Sequence, residues 1–299
     1  MVWLPENIWL NRGLSGLSPY AAGDAAFHIF CLPRLSEHRH ARHRVLAERA
    51  RYHLWKARWH TLQTAVGNLQ VYIFEPEGKQ AKGNVLVVHG WTSEASFMTA
   101  IAEPVRRAGY RTILFDLPAH GLSEGRSTNL MNCGRATVFV AKRFAPIDAI
   151  VTHSFGSTVS LVAIEGIPPM PEGIPGVRCL AMIASPNRLS EVTHNFAQHW
   201  RLSKAGQRAF ERRLERVGQR GIGAFTVATL LQASGLPALL VHARDDRRVA
   251  FRCADEIAAT NSASELYACD GLGHSNILFA PPIGRKVSAY VDRALHPPS

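Results

Sequence analysis

The chain has 299 residues, of which 46% are hydrophobic and 19% charged, a globular composition that allows a sizeable core and excludes a disordered class. The formal net charge of +11 comes from two basic segments, residues 34–60 and 201–220. Neither segment carries a known nucleic-acid-binding motif, so we expect no specific nucleic-acid partner.

The cysteines and the N-terminus indicate the cellular compartment of the protein. Five cysteines are widely spaced and include no C-x-x-C pair, which indicates reduced thiols and excludes a disulfide framework. No stretch reaches the roughly 20 apolar residues of a membrane span. The first ten residues lack the basic and apolar regions of a secretion signal. Together these features predict a cytoplasmic protein.

Residues 1–54 are predicted to form an N-terminal extension that ends in a basic helix, from Ser36 to about Leu54. Such a helix suits peripheral contact with an anionic surface. A solvated helix that packs by one face is the simpler interpretation. Three histidines in this segment have no carboxylate or cysteine at ligand spacing, so we expect no metal there. They are His38, His40 and His43.

From Trp55 onward, apolar runs and helical patterns alternate, which predicts an α/β fold with a mainly parallel, doubly wound sheet. The predicted strands are Trp55–Thr64, Leu69–Glu75, the apolar run from Asn84 that ends at the Gly90 turn, Tyr110–Asp116, Ile147–Val151, Cys179–Ala184, Ala238–His242 and Glu265–Cys269, with a hairpin at Gly67-Asn68. The predicted helices are Glu94–Ala108, Thr128–Phe144, Ser157–Ala163, Ala254–Ala259 and Asn276–Ala294. In such sheets the chemistry collects at the carboxyl ends of the strands.

Residues 186–234 break this alternation with helical patterns alone, and we predict that they form a small helical lid inserted into a core of residues 55–185 and 235–299. Phe210, Leu214 and Val217 would form the inner face of the lid. Four arginines, spaced four residues apart, form a row of like charge. Either Glu211 and Glu215 neutralise this row or it steers an anionic ligand. The row is Arg208, Arg212, Arg216 and Arg220.

A serine lies where a predicted strand meets a predicted helix, in the stretch Thr152-His153-Ser154-Phe155-Gly156. A serine on such a corner is held in a strained turn, with its hydroxyl exposed to a base. The usual signature is G-x-S-x-G, and Thr152 replaces its first glycine. The alternative is that Ser154 merely caps the helix.

A nucleophilic serine needs a base and a carboxylate that orients the base. Asp245 and Asp246 follow one predicted strand, and His274 lies in a glycine-flanked loop after the last strand. These positions make Ser154, His274 and one of the two aspartates the candidate catalytic residues.

Five motifs resemble those of the α/β-hydrolase superfamily and follow one another in the order typical of that family. The overall pattern is similar to that of bacterial serine hydrolases with a short helical lid. The motifs are His89-Gly90-Trp91, Asp116 to Ser123 with Ala119 for a glycine, the serine corner, His242 to Val249, and Gly271 to His274. The resemblance implies an α/β-hydrolase fold from Trp55 onward. The spacing of the family's H-G-x-x-D motif favours Asp246 over Asp245 as the carboxylate that orients the base. It also implies an oxyanion hole formed by the backbone N–H groups of Trp91 and Phe155, with His120 and His153 in structural roles.

The expected activity is cleavage of small or medium-chain carboxylic esters through an acyl-enzyme on Ser154. An apolar acyl pocket could be lined by Trp91, Phe97, Met98 and Phe155. Cleavage of thioesters, amides or C–C bonds by the same triad stays open, as does a non-catalytic binding role. The sequence shows no phosphate loop, dinucleotide fingerprint or metal-ligand cluster, so we expect no cofactor.

Overall fold

The computed structural model describes residues 18–33, 41–78 and 80–297, with the backbone alone for residues 41–44, 46 and 47. Its eight strands form one sheet. They are β1 (Arg58–Leu62), β2 (Leu69–Phe74), β3 (Asn84–Val88), β4 (Arg111–Phe115), β5 (Ala149–His153), β6 (Cys179–Ile183), β7 (Ala238–Ala243) and β8 (Ser264–Cys269).

The same residues contain eleven α-helices and four short 3₁₀ turns. The helices are α1 (Pro19–Phe30), α2 (Ala41–Tyr52), α3 (Thr99–Arg107), α4 (Leu130–Arg143), α5 (Phe155–Glu165), α6 (Leu189–His199), α7 (Lys204–Gly218), α8 (Val227–Ser234), α9 (Arg252–Thr260), α10 (Gly273–Asn276) and α11 (Pro281–Leu295). The turns are His53–Lys56, Ala95–Met98, Ile222–Ala224 and Ile277–Phe279. Within the described ranges, no helix has both the length and the apolar character that crossing a membrane requires.

The strand order is β1-β2-β4-β3-β5-β6-β7-β8. Strands β3 to β8 pair in parallel, whereas β2 pairs antiparallel with both β1 and β4. The residues of β3, β5 and β6 are all buried, because helices cover both faces of the sheet. The predicted α/β fold with a mainly parallel, doubly wound sheet is therefore confirmed.

The two faces of the sheet carry separate hydrophobic clusters. Leu86 and Ile150 point to the face covered by α4, α5 and α8. Their neighbours along the strands, Val87 and Val151, point to the face covered by α3 and α11. This alternation follows from the two-residue period of a strand. The parallel pairing of β3 to β8 places their carboxyl ends along one edge of the sheet.

The N-terminal region differs in detail from the prediction. Helix α1 was not predicted, although Ser18 caps it by accepting the N–H of Ala21 and Pro19 occupies its first turn. The predicted strand from Trp55 begins only at Arg58. A 3₁₀ turn precedes it because Leu54, 1% exposed, turns into the core. The first part of the predicted basic helix, residues 36–40, lies outside the described residues.

The helices of the insertion between β6 and β7 pack against two different parts of the protein. Helix α7 packs along α1, and Ala26, Phe196, Trp200 and Phe210 form a third hydrophobic cluster there. Helix α8 instead packs on α5 and contributes to the main core.

Neutralisation of the arginine row by Glu211 and Glu215, one of its two interpretations, is not what these carboxylates do. Glu211 accepts hydrogen bonds from Thr193 and Gln207, and Glu215 accepts the N–H of Ile222. The partner of Arg220 is Glu165 on α5, with nitrogen and oxygen 2.6 Å apart, and Arg212 lies over the ring of Tyr20. The carboxylates of Glu211 and Glu215 thus accept hydrogen bonds from uncharged donors. The spacing of residues in the sequence does not reveal these contacts.

Candidate active site

Ser154 lies between the last residue of β5 and the first residue of α5. Its backbone has φ 51° and ψ −121°, a strained conformation for a residue with a side chain. Ser154 is at the N-cap position of α5, but its hydroxyl makes no capping hydrogen bond, so it does not serve merely as a cap. The corner needs glycine at position 156, because a Cβ there would lie 2.5 Å from the Val88 carbonyl oxygen.

The structure brings Ser154, Asp246 and His274 together. His274 Nδ1 lies 2.7 Å from Asp246 Oδ2, and His274 Nε2 lies 3.1 Å from Ser154 Oγ. A carboxylate only accepts, so Nδ1 carries the ring proton and donates it. Nε2 is then free to accept the proton of the Ser154 hydroxyl. This is the geometry of a nucleophile, a base and an orienting acid.

The two aspartates after β7 have different surroundings. The side chain of Asp246 is fully buried, and its Oδ1 accepts the N–H groups of Arg248 and Val249 at 2.8 and 3.0 Å. Asp245 is exposed and accepts the N–H of Gly271 at 2.9 Å. Of the pair, Asp246 is the one that meets the imidazole of His274, while Asp245 ties the two loops together.

Burial and hydrogen bonding set the charges of this pair. Burial alone raises the pKa of Asp246, but the hydrogen bonds from His242 and His274 outweigh it and hold that pKa below its usual range. Burial lowers the pKa of His274, and the carboxylate of Asp246 offsets only part of this effect. At neutral pH the site therefore holds an ionised Asp246 and a neutral His274, the form a general base requires.

His153 supports the loop that carries the base. Its Nε2–H donates to the backbone carbonyl of His274 at 3.0 Å, and the two rings are 4.9 Å apart. Burial lowers the pKa of His153 to about 3, so the ring stays neutral and keeps this donor. His153 thus contacts the backbone of His274.

The loop His89–Glu94, called the oxyanion loop below, runs beside Ser154. A Cβ on Gly90 would lie 3.1 Å from Ser154 Cβ. Because Leu117 N–H donates to His89 Nε2, the other ring nitrogen carries the proton and donates to the Gly90 carbonyl at 2.7 Å. A trans peptide points its N–H opposite to its C=O. The N–H of Trp91 therefore points away from His89.

Two backbone N–H groups of this loop have acceptors. Thr92 N–H donates to His120 Nε2 at 3.2 Å, and Ser93 N–H to the Gly90 carbonyl at 3.3 Å. In the described part of the chain, no acceptor is found for the N–H of Trp91, nor for that of Phe155 in the first turn of α5. Buried N–H groups are normally paired, so the two groups that the resemblance points to are free to receive an oxyanion.

Two residues predicted to line an acyl pocket lie in the core instead. Met98 is fully buried, and Phe97, 6% exposed, sets its ring against Phe279. The 3₁₀ turn Ala95–Met98 directs both side chains under α3 and α11, so Met98 presents no surface to a ligand.

The aromatic side chains beside Ser154 are Trp91 and Phe155, whose rings meet edge to face at 5.2 Å. Phe30 at the end of α1 stacks on Trp91 at 6.3 Å, with 20° between the ring planes. Sequence reasoning missed Phe30, because it left residues 1–35 without a role. The Ser18-Pro19 helix start was the available signal.

In ranges 18–33, 41–78 and 80–297, no three His, Cys, Asp or Glu side chains converge on a common point. All five cysteines are free thiols. His38, His40 and the side chain of His43 lie outside the described residues.

Comparisons with known proteins agree with this architecture. The sequence model of a family described as the alpha/beta hydrolase family matches residues 85–282. No curated protein matches the chain.

Solved structures resemble the chain at low sequence identity. The esterase domain of a Rhodothermus marinus protein is 22% identical, with a TM-score of 0.59 over 80% of this chain and 99% of that chain. An esterase from Pyrococcus furiosus is 18% identical, with a TM-score of 0.59 over 82% and 95%. A thioesterase domain from the curacin biosynthetic pathway is 14% identical, with a TM-score of 0.56 over 79% and 99%. These likenesses show a shared fold.

Proposed function

The chain belongs to the alpha/beta hydrolase family, and from this we propose that it hydrolyses carboxylic esters through an acyl-enzyme formed on Ser154. The observation that carries the proposal is the continuous line of hydrogen bonds from Ser154 Oγ through the imidazole of His274 to Asp246. The strained backbone at Ser154, which turns its hydroxyl toward the imidazole, supports the same role.

In the first half of the reaction, Ser154 Oγ attacks the ester carbonyl carbon while His274 Nε2 takes the hydroxyl proton. The carbonyl oxygen gains negative charge and is received by the N–H groups of Trp91 and Phe155. As the tetrahedral intermediate collapses, the carbon–oxygen bond to the alcohol breaks. His274 gives its proton to the departing alkoxide, which leaves as the alcohol.

In the second half, a water molecule attacks the acyl carbon and gives a proton to His274 Nε2. Collapse of this intermediate breaks the bond to Ser154 Oγ, and the proton returns to the serine. Asp246 stays ionised throughout. Its role is to hold Nδ1–H in place and to stabilise the imidazolium that forms in each half.

The substrate in this proposal is a small-molecule ester with a small or medium acyl chain. Trp91 and Phe30 are only partly buried and stack on each other, so they supply apolar ring surface next to the oxyanion loop, where an alkyl chain would displace water. The proposal needs no cofactor, because proton transfer, nucleophilic attack and charge stabilisation are all assigned to groups of the chain. The free thiols fit a reducing, cytoplasmic setting, which we retain as part of the proposal.

The test is turnover of p-nitrophenyl esters from acetyl to long acyl chains by the wild type and by Ser154→Ala. We expect an optimum at short to medium chains and a fall in kcat of about 10³-fold or more in the variant. Equal rates for the two proteins would contradict the proposal. Thioester and anilide analogues of the best acyl group, assayed in parallel, separate an esterase from a thioesterase or an amidase.

A further inference from the structure

A buried carboxylate closes the oxyanion loop. Glu94, the last residue of the loop, is 6% exposed. Its two carboxylate oxygens accept from the guanidinium of Arg51, with Nε and Oε1 2.7 Å apart and the second contact made by an Nη nitrogen. The hydroxyl of Ser96 also donates to Oε1. Arg51 belongs to α2, so this bidentate pair joins the N-terminal extension to the loop beside Ser154.

The other titratable groups that face Glu94 give it no positive charge. Asp116 lies after β4, where burial and the charge of Glu94 raise its pKa to about 6. Tyr72 on β2 donates its hydroxyl to Asp116. Burial lowers the pKa of His89 to about 4, which keeps its ring neutral. Among the described groups around Glu94, the compensating cation is Arg51.

We propose that Arg51 is a positioning residue of the active site: it neutralises Glu94 and thereby fixes the oxyanion loop, so that the N–H of Trp91 faces the charge formed in the reaction. The inference rests on the proposed function, because it assigns an oxyanion to that N–H.

The path from Arg51 to the reacting atoms is short. Trp91 precedes Glu94 by three residues, and Thr92 between them has a φ of 57°, a strained value that the ends of the loop must hold in place. Without Arg51, the carboxylate of Glu94 is a buried and uncompensated charge. It must then move into contact with water or become protonated. Movement of Glu94 toward water would rotate the peptides before it, including the Trp91 N–H.

The N-terminal extension reaches the oxyanion loop at a second point, where Phe30 stacks on the side chain of Trp91. The loop is therefore contacted by α1 at Trp91 and by α2 at Glu94. This arrangement gives Arg51 a partner inside the protein.

The experiment compares ester hydrolysis by Arg51→Met, Arg51→Lys and the double variant Arg51→Met/Glu94→Gln. The matched control is Arg49→Met, which removes an exposed charge from the same helix. We expect kcat of Arg51→Met to fall about 10-fold or more, toward the roughly 10²–10³-fold loss of one oxyanion donor, with KM changed less than about 2-fold. Arg51→Lys keeps the charge but loses the paired N–H donors of the guanidinium. Its kcat should therefore lie between those of the wild type and Arg51→Met. The double variant leaves no unpaired charge and should regain most of the loss.

Recovery of kcat in the double variant separates positioning from simple loss of stability. In Arg51→Met, Glu94 stays buried beside Asp116, Tyr72 and His89 without its compensating cation. We therefore expect kcat, and not KM, to fall in Arg51→Met and to recover in the double variant. A purely structural role would lower the melting temperature of both proteins and would leave kcat low in both.

Wild-type turnover is measured first. Turnover in the wild type with unchanged kcat in Arg51→Met, or with no recovery in the double variant, overturns the inference and leaves the proposed function intact. Absence of turnover and of Ser154 labelling by a fluorophosphonate in the wild type overturns both.

Discussion

The hydroxyl oxygens of Thr152 and Ser157 lie 2.8 Å apart, and this hydrogen bond joins β5 to the first turn of α5 on either side of Ser154. Both side chains are buried, at 0% and 1% exposure. A glycine at position 152 would lack this bond. The threonine that departs from the usual signature is thus accommodated by a partner five residues later in the chain.

Replacing Thr152 by valine should destabilise the protein, because it leaves the Ser157 hydroxyl buried without its partner. We expect the free energy of unfolding to fall by about 1–3 kcal/mol, measured by urea denaturation. The double variant Thr152→Val/Ser157→Ala removes both hydroxyls and should recover part of the loss. A Thr152→Val protein as stable as the wild type would show that this bond contributes nothing.

The two aspartates after β7 should respond differently to the same change. Asp246→Asn removes the charge that stabilises protonated His274, and we expect kcat to fall by about 10³–10⁴-fold. Asp245→Asn keeps an oxygen that can accept the Gly271 N–H, so its kcat should stay within about 3-fold of the wild type. Steady-state hydrolysis of one ester measures both. Similar losses in the two variants would count against Asp246 as the orienting acid.

The activity should persist at mildly acidic pH. In the proposed mechanism the active form of His274 is neutral, so activity should be lost as pH falls through its pKa. Burial holds that pKa below the ordinary histidine value of about 6.5, even though Asp246 raises it in part. We therefore expect kcat/KM to be flat near neutrality and to fall only below about pH 6.5. A midpoint above pH 7 would mean that the carboxylate outweighs burial.

The contact between α1 and α7 offers a pair of matched glycines. A Cβ on Gly23 would lie 2.5 Å from Ala209 Cβ and 2.7 Å from the Phe210 nitrogen, whereas one on Gly206 would meet only ordinary contacts, the nearest at 3.4 Å. Gly23→Ala should therefore destabilise the protein by about 1–3 kcal/mol, and Gly206→Ala should be neutral or gain up to about 1 kcal/mol. Thermal unfolding measures both. Equal melting temperatures would indicate that the helices separate easily.

The fold was predictable because its signal is local and repeated. Buried strands such as Asn84–Val88 are continuous apolar runs between turns, and alternation with helices leaves few topologies. The predicted positions of Ser154, His274 and the two aspartates rest on the same logic, since each follows a strand and the carboxyl ends share one edge.

Other features were not predictable because they depend on pairs distant in sequence. Arg51 and Glu94 are 43 residues apart in the sequence, and no local pattern near either residue predicts their contact. Met98 has the apolar character of a pocket residue, but the 3₁₀ turn that buries it has no clear pattern in the sequence. Apolar composition alone cannot distinguish a core side chain from one that lines a cleft.

The central claim is that Ser154 is the nucleophile, and covalent labelling tests it most directly. The wild type is treated with a fluorophosphonate, digested, and mapped by mass spectrometry, with Ser154→Ala and His274→Ala in parallel. The account predicts one adduct on the peptide that contains Ser154, none in Ser154→Ala, and much slower labelling in His274→Ala. An adduct on another residue, or equal labelling of the wild type and Ser154→Ala, would contradict it.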